Sequence, residues 1–219
     1  MLGGVEPIFE AVLANDPSRI TPAAAARRMD EDLLVTELPH MLYRGDTPLH
    51  LAAAGLRHDA ARALLAAGAP VNAANRRGAT PLHYASDPRP LSPTWDPPAQ
   101  RRLIDLLISA GAAVDHPDRG GVTPLHRAVR ARSPAAVAAL LSAGANPRAA
   151  TKKAGSTPLH LAVAPTGASG TAGAGGYQLE IVNLLLAAGA TLADEDRHGT
   201  PAADRIQSPA LRQALARRT

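Results

Sequence analysis

Eight histidines are the residues of this chain whose chemistry most readily suggests metal binding or proton transfer. Four of them recur in one position at intervals of 33 to 43 residues, and these are His50, His83, His126 and His160. A zinc site needs ligands that converge, for instance two histidines four residues apart on one helix, and no such pair or HExxH motif occurs. We therefore predict no metal site and no cofactor, and we assign these four histidines a structural role.

Motifs for other chemistry are also missing from the sequence. The glycine-rich segment 167–176 has no Gly-Lys-Ser/Thr and follows a helical pattern, so we interpret it as a linker and not as a phosphate-binding loop. There is no Gly-x-Ser-x-Gly motif, and the lack of cysteine excludes a thiol nucleophile, a thiolate metal site and a disulfide. We predict that the chain is not an enzyme, with a dispersed catalytic site as the remaining alternative.

The composition limits the architecture and the cellular setting. With 219 residues, the chain has room for one folding unit or a short array of stacked units. Aromatic residues make up 2% and hydrophobic residues 46%, mostly Ala, Leu and Val, so the core must come from closely packed helices. We find neither a signal sequence nor an apolar run long enough to span a membrane, and we expect a cytoplasmic protein. Because Lys152 and Lys153 are the only lysines beside many arginines, the sequence suggests a GC-rich bacterial genome.

The four histidines belong to a larger repeated pattern. Each ends a Thr-Pro-Leu-His motif, and these motifs begin at Thr47, Thr80, Thr123 and Thr157, with a weakened copy at Thr200. The spacings of 33, 43, 34 and 43 residues indicate an insertion of about ten residues in repeats two and four. A second motif, a Leu-Leu or Leu-Ile pair followed by Gly-Ala, keeps the same period, and its glycines are Gly68, Gly111, Gly144 and Gly189.

Each motif has a local physical meaning. Threonine before proline places a hydroxyl at the N-cap and a preset φ at the first helical position, so each Thr-Pro predicts a helix start. Glycine after the leucine pair predicts a helix end, because it adopts the left-handed conformation at little cost. One repeat is then two helices with one apolar stripe, which can be buried only by stacking on the next repeat.

These residues resemble the ankyrin repeat, whose period of about 33 residues and Thr-Pro-Leu-His-x-Ala signature match over residues 45 to 206. The resemblance implies an all-α ankyrin-repeat solenoid of stacked helix-turn-helix units with short finger hairpins. It also implies that the motif histidines hydrogen-bond neighbouring backbone. The structural motif residues are then Thr47, His50, Thr80, His83, Thr123, His126, Thr157 and His160.

The repeats predict the domain organisation. We expect a divergent capping helix pair and connection over 1–44, four repeats over 45–197, and a degenerate capping repeat over 198–219. The four repeats span approximately 45–77, 78–120, 121–154 and 155–197. Two helices are expected at the N-terminus, over Pro7 to Ala14 and Pro22 to Met29, whereas the shape of 30–44 could not be derived. In repeat five, Gly199 directly precedes Thr200, where the other repeats have an intervening residue, so the sequence does not predict the geometry of this finger.

The two insertions differ in composition. Residues 86–98 are proline-rich, which predicts a stiff loop, and residues 164–176 are rich in Gly, Ala, Ser and Thr, which predicts a flexible one. The first insertion holds the single tryptophan, Trp95. Trp95 is a candidate interface anchor, although we favour the alternative that it packs over helix ends.

Basic side chains recur in the segment before each motif. Together with two arginines of the repeat-three first helix they form the predicted partner-binding set: Arg44, Arg76, Arg77, Arg119, Arg127, Arg130, Lys152 and Lys153. Residues 47–219 carry a net charge of +8, from 19 basic and 11 acidic residues. The stripe would steer an acidic partner segment, and the alternative is an ordinary set of solvated turns.

The resemblance implies a non-catalytic protein-protein interaction module, an adaptor, scaffold or inhibitor that binds a protein through its concave face and fingers. We expect a monomer with no membrane association. A nucleic-acid-associated factor is the alternative, since phosphates could bind the stripe. Single-strand binding is disfavoured because the tips offer little aromatic surface beyond Tyr43.

Overall fold

The computed structural model describes residues 7–28, 33–35, 40–87, 95–165 and 176–217. The chain divides into two compact units. The N-terminal unit comprises Met1–Ala85 and Pro98–Ala113, and the C-terminal unit comprises Ser86–Pro97 and Val114–Thr219. Both consist of paired helices, which confirms the predicted all-α fold class.

The N-terminal unit holds three helix pairs and one small sheet. Its helices are α1 (Pro7–Leu13), α2 (Pro22–Ala25), α3 (Pro48–Ala54), α4 (His58–Ala66), α5 (Pro81–Ala85) and α6 (Pro97–Ser109), with a 3-10 helix at Pro17–Arg19. Strands β1 (Leu33–Val35) and β2 (His40–Leu42) pair antiparallel, with Leu34 opposite Met41. This hairpin lies in the segment 30–44, whose shape no sequence pattern predicts.

The C-terminal unit holds the remaining helices. They are α7 (Pro124–Arg130), α8 (Pro134–Ser142), α9 (Pro158–Val163), α10 (Gly176–Ala187) and α11 (Pro209–Ala216), with a 3-10 helix at Ala202–Arg205. Helix α7 packs against α8 and α9, and α9 packs against α10 and the 3-10 helix. Successive first helices and second helices therefore stack within the unit, as a repeat architecture requires.

Helix starts and ends follow the local chemistry of the repeats. Each complete Thr-Pro motif places proline at the first residue of a helix, namely α3, α5, α7 and α9. The second helices end at glycines of positive φ, for example +86° at Gly144, where the Ala145 amide donates to the Leu140 carbonyl at 3.0 Å. The paired leucines Leu64, Leu107, Leu140 and Leu185 are fully buried between the helices.

Helix α2 is shorter than predicted, and both insertions lie mostly outside the described residues. Helix α2 ends at Ala25, where the Arg27 amide donates to the Ala24 carbonyl at 3.1 Å, three residues back and not four. Arg28 lies beyond this end, and its Nη1 donates to the Ala74 carbonyl at 3.1 Å. The predicted helix end at Met29 lies outside the described residues. Most of both insertions, residues 88–94 and 166–175, also lies outside them, so stiffness and flexibility stay predictions.

Two glutamines that the sequence reasoning missed hold the first helices of the repeats with insertions. Gln100 and Gln178 stand seven residues before Leu107 and Leu185. Their side-chain amides donate to Ala85 O and Ala162 O, both at 2.9 Å. In the repeats without insertions, backbone amides at the same position bond the same carbonyl, from Arg57 to Ala52 at 2.8 Å and from Ser133 to Ala128 at 3.1 Å. A side chain thus replaces a main-chain bond that the insertion removes.

No helix within the described ranges is both long and apolar enough to cross a membrane.

Candidate binding surface of fingers and first helices

The motif threonines and histidines form the framework of each repeat. Histidine Nδ1 accepts a hydrogen bond from the threonine amide at 3.0 to 3.2 Å, in the pairs Thr47–His50, Thr80–His83, Thr123–His126 and Thr157–His160. An accepting Nδ1 leaves the proton on Nε2. That nitrogen donates to a carbonyl of the following repeat at 3.1 Å, in the pairs His50–Ala79, His126–Ser156 and His160–Thr200.

Burial keeps one of these histidines neutral. Removal from water lowers the pKa of His126, against the opposing effect of its bond to the Ser156 carbonyl. A neutral ring with both nitrogens hydrogen-bonded has no site left for a ligand. The motif residues therefore position the fingers and first helices and face no solvent themselves.

The fingers are the segments between a second helix and the next first helix: residues 43–46, 75–79, 118–122, 151–156 and 196–200, numbered one to five. In fingers two, three and five one side-chain oxygen accepts from the amides two and four residues on. For Asn75 these distances are 2.8 and 3.0 Å, for Asp118 2.8 and 3.0 Å, and for Asp196 2.8 and 3.1 Å. One Asn or Asp thus closes each tight turn.

Finger five keeps this geometry because its helix start has moved by one residue. Thr200 O accepts from the Asp196 amide at 3.0 Å, as Ala79 O does from Asn75. Pro201, and not Thr200, is the N-cap residue of the following 3-10 helix. Aligning Thr200 with the motif threonines was therefore wrong by one position, and the irregularity lies in the helix, which lacks the capping hydroxyl.

Backbone hydrogen bonds hold neighbouring fingers in register. In the N-terminal unit the Arg76 amide donates to Arg44 O at 2.9 Å. In the C-terminal unit Lys152 donates to Gly120 O at 2.8 Å and Arg197 to Ala154 O at 3.0 Å. Gly155 is required there, because its φ is +66° and a Cβ would lie 2.6 Å from the Arg197 nitrogen.

In the N-terminal unit, Arg44, Arg76 and Arg77 are exposed at the finger tips. The Arg77 guanidinium carbon lies 4.3 Å from the Tyr43 ring centroid, and its Nη1 donates to the Tyr43 hydroxyl at 3.0 Å. Arg76 lies farther from the same ring, at 5.7 Å. The tyrosine therefore orients a cation at the tip by a cation–π contact.

In the C-terminal unit, Arg119, Lys152 and Lys153 are exposed on fingers three and four. Arg197 is exposed at the matching place on finger five. The sequence reasoning omitted Arg197 because it counted that finger from Thr200. The usable signal was the Asp196-x-x-Gly199 spacing, which repeats Asn75-x-x-Gly78.

The two arginines of α7 differ in accessibility. Arg127 is 9% exposed, with Nη1 3.6 Å from Asp87 Oδ2 and Nη2 3.5 Å from Asp118 Oδ2. Arg130 is exposed, and its Nη2 lies 3.7 Å from Asp87 Oδ1. The structure thus places Arg127 beneath the surface between two carboxylates and leaves Arg130 at the surface.

Trp95 is partly buried within the C-terminal unit. Its ring centroid lies 6.1 Å from that of Tyr177, in the first turn of α10, with the two planes tilted by 59°. This is a usual aromatic pair geometry. The anchoring role of Trp95 stays a prediction.

The structure brings no metal-binding cluster together in the part of the chain that it describes. No group of three or more His, Asp or Glu side chains comes together there as a metal ion would need. Each unit presents exposed cationic finger tips, and backbone hydrogen bonds join neighbouring fingers within the unit.

Comparison with known proteins agrees with the repeat geometry. The family model described as ankyrin repeats, in three copies, matches residues 11–89 and 99–196. The human neurogenic locus notch homolog protein 4 is 56% identical over 46 residues, which is 21% of this chain. The chain spans only 2% of that relative's length, so the likeness is limited to a short segment. With the family model matching most of its length, the chain belongs to the ankyrin repeat family.

Proposed function

We propose that this chain is a non-catalytic protein-binding module, acting as an adaptor, scaffold or inhibitor through the fingers and first helices of each unit. Ankyrin repeats are generally protein–protein interaction modules, which supports the class of function. The observation that carries the proposal is the row of exposed basic tips whose positions are fixed by finger-to-finger backbone bonds. A preformed surface loses little conformational entropy on binding.

The charge of these tips supports an acidic segment on the partner. Arg119, Lys152, Lys153 and Arg197 are exposed on adjacent fingers of the C-terminal unit. Like charges held close together repel one another, and an anionic partner removes that repulsion and is steered towards the tips. We further propose that the chain acts as a monomer in the cytoplasm, which light scattering after size-exclusion chromatography and localisation of a tagged chain would test.

The test is affinity capture with the full chain as bait, followed by mass spectrometry. The finger variant changes five residues together to Glu: Arg76, Arg77, Arg119, Lys152 and Lys153. Arg62→Glu with Arg102→Glu, both exposed on second helices, is a charge-reversal control away from the fingers. A stoichiometric protein that is lost from the first variant and kept by the control supports the proposal. Unchanged recovery by the finger variant would refute a role for the tips, and recovery that nuclease abolishes would favour nucleic acid as the partner.

A further inference from the structure

Asp87 lies against both arginines of α7. Its Oδ2 is 3.6 Å from Arg127 Nη1, and its Oδ1 is 3.7 Å from Arg130 Nη2. The side chains of Asp87 and Arg127 are 12% and 11% exposed, whereas that of Arg130 is 47% exposed. A carboxylate arriving from solution would therefore meet Arg130 first and Asp87 next.

The contact of Asp87 with these arginines is a weak one. All of its distances exceed the approximately 2.7 to 2.9 Å of a charge-assisted hydrogen bond. By contrast, Arg148 Nη2 lies 2.7 Å from Asp194 Oδ1 in the same unit. Asp87 Oδ1 and Arg127 Nε are both shielded from solvent and make no hydrogen bond. Burying a polar atom without a hydrogen-bond partner costs free energy of folding. These two atoms therefore add no hydrogen bond to the attraction between the charges of Asp87 and Arg127.

The second carboxylate near Arg127 is fixed in a different way. Asp118 Oδ1 accepts from the amides of Gly120 and Val122, which closes finger three. Asp87 lies outside any helix or strand, so it can move without breaking a regular hydrogen-bond ladder. Asp118 is therefore the permanent counter-charge of Arg127, and Asp87 is the carboxylate that can be exchanged.

We propose that Arg127 and Arg130 form a subsite for a glutamate or aspartate side chain of a protein partner, and that Asp87 fills this subsite in the free chain. The proposal rests on the proposed binding function. Exchange of Asp87 for another carboxylate keeps the charge of the cluster unchanged. An incoming carboxylate that is free to orient can approach Arg127 Nη1 and Arg130 Nη2 to hydrogen-bond distance, which Asp87 does not reach at 3.6 and 3.7 Å.

The experiment measures binding of a fluorescein-labelled polyglutamate peptide to the full chain by fluorescence anisotropy. Asp87→Asn removes the internal competitor, and we expect a dissociation constant about two- to fivefold lower, the effect of one weak ion pair. Asp105→Asn, which removes an exposed partner of Arg101 on α6, is the charge-matched control and should change it little.

A double-mutant cycle assigns the effect to the subsite. In an Arg127→Gln background, and separately in an Arg130→Gln background, Asp87→Asn should give little or no gain. Circular dichroism checks folding, and Arg130→Gln, at the surface, carries the test if Arg127→Gln does not fold. Equal tightening in the arginine variants, or no tightening at all, would overturn the proposal. If Asp87→Asn tightens the binding of an oligothymidylate probe equally, the subsite recognises any anion and is not specific for an acidic protein segment, which would overturn the proposal.

The carboxylate subsite and the protein-binding function can be lost independently of each other. A chain that captures a protein partner through its finger tips but shows no response to Asp87→Asn keeps the function and loses the subsite. A chain with no protein partner but with the expected polyglutamate response would keep the carboxylate chemistry and lose the protein-binding role.

Discussion

Replacing Gln100 by methionine should destabilise the protein more than the same replacement at Gln178. Gln100 is fully buried, and its amide donates to Ala85 O at 2.9 Å. Methionine has nearly the same volume as glutamine but no amide donor, so the change in the free energy of unfolding contains no cost for a cavity. A lost hydrogen bond with a buried acceptor left behind costs about 1–3 kcal/mol, and we expect about 2 kcal/mol at this site.

Gln178 is less critical because its acceptors have a second donor. Its amide bonds Ala162 O at 2.9 Å and Ala164 O at 3.1 Å. Arg132 Nη1 and Nη2 bond the same two carbonyls, both at 2.7 Å. Neither carbonyl is orphaned when the glutamine is lost, and Gln178 is only partly buried. The expected cost is therefore below about 1 kcal/mol.

Urea unfolding of the full chain, followed by circular dichroism, measures both changes. Gln213→Met, at an exposed position of α11, controls for the gain of a methionine. The slope of the free energy of unfolding against urea must stay unchanged for the comparison to hold, and each variant is judged on the transition of its own unit. A larger cost at Gln178 than at Gln100, or a cost at Gln100 within about 0.5 kcal/mol of zero, would refute this account of the insertions.

Three further measurements test the fingers and the motif. Gly155→Ala should cost more in thermal stability than Gly68→Ala, because both have positive φ but only the first brings a Cβ within 2.6 Å of the Arg197 nitrogen; equal costs would argue against the close approach. Burial raises the pKa of Asp196, but the hydrogen bonds that it accepts from Arg205 and from the His198 and Thr200 amides lower it further, to about 2. Its stabilising effect should therefore be full above about pH 5 and fade towards pH 2. Asp196→Asn keeps a side-chain oxygen that can accept the hydrogen bonds of the turn but removes the titrating carboxyl. The melting temperature of this variant should therefore depend less on pH between about pH 5 and pH 2. Burial lowers the pKa of His126, so the unfolded chain binds its proton first and stability should fall as pH drops below about 6.5; a melting temperature that rises on acidification through this range would contradict the buried neutral ring.

Much of the fold could be predicted because its signals are local. A proline after threonine starts a helix and a glycine after a leucine pair ends one whatever surrounds them, and α3, α7 and α9 begin at the prolines of their motifs. The stacking of repeats followed from the apolar stripe. The short α2 was not predictable in the same way, because no glycine or proline closely follows Ala25 to mark its end.

The candidate surface was predictable only in part. Exposure of Arg119 and Lys152 follows from their place at turn tips, which sequence spacing locates well. Arg197 was missed because a Thr-Pro pair outweighed the Asp-x-x-Gly spacing that shapes the finger. The burial of Arg127 depends on Asp87, which stands forty residues earlier in the chain. No local pattern reports such a contact.

One position in the first helix differs among the four repeats in both polarity and charge. The residue four positions after the motif threonine is Leu51, Tyr84, Arg127 or Leu161, so repeat three alone among these places a charge there. Leu51 and Tyr84 are almost fully buried, and the Tyr84 hydroxyl bonds Asp46 and Asn75, whereas Arg127 leaves its buried Nε without a hydrogen bond. A buried ion pair seldom stabilises more than well-packed apolar side chains. An unsatisfied Nε at this position is not expected from stability alone, and it is consistent with the carboxylate subsite that we propose.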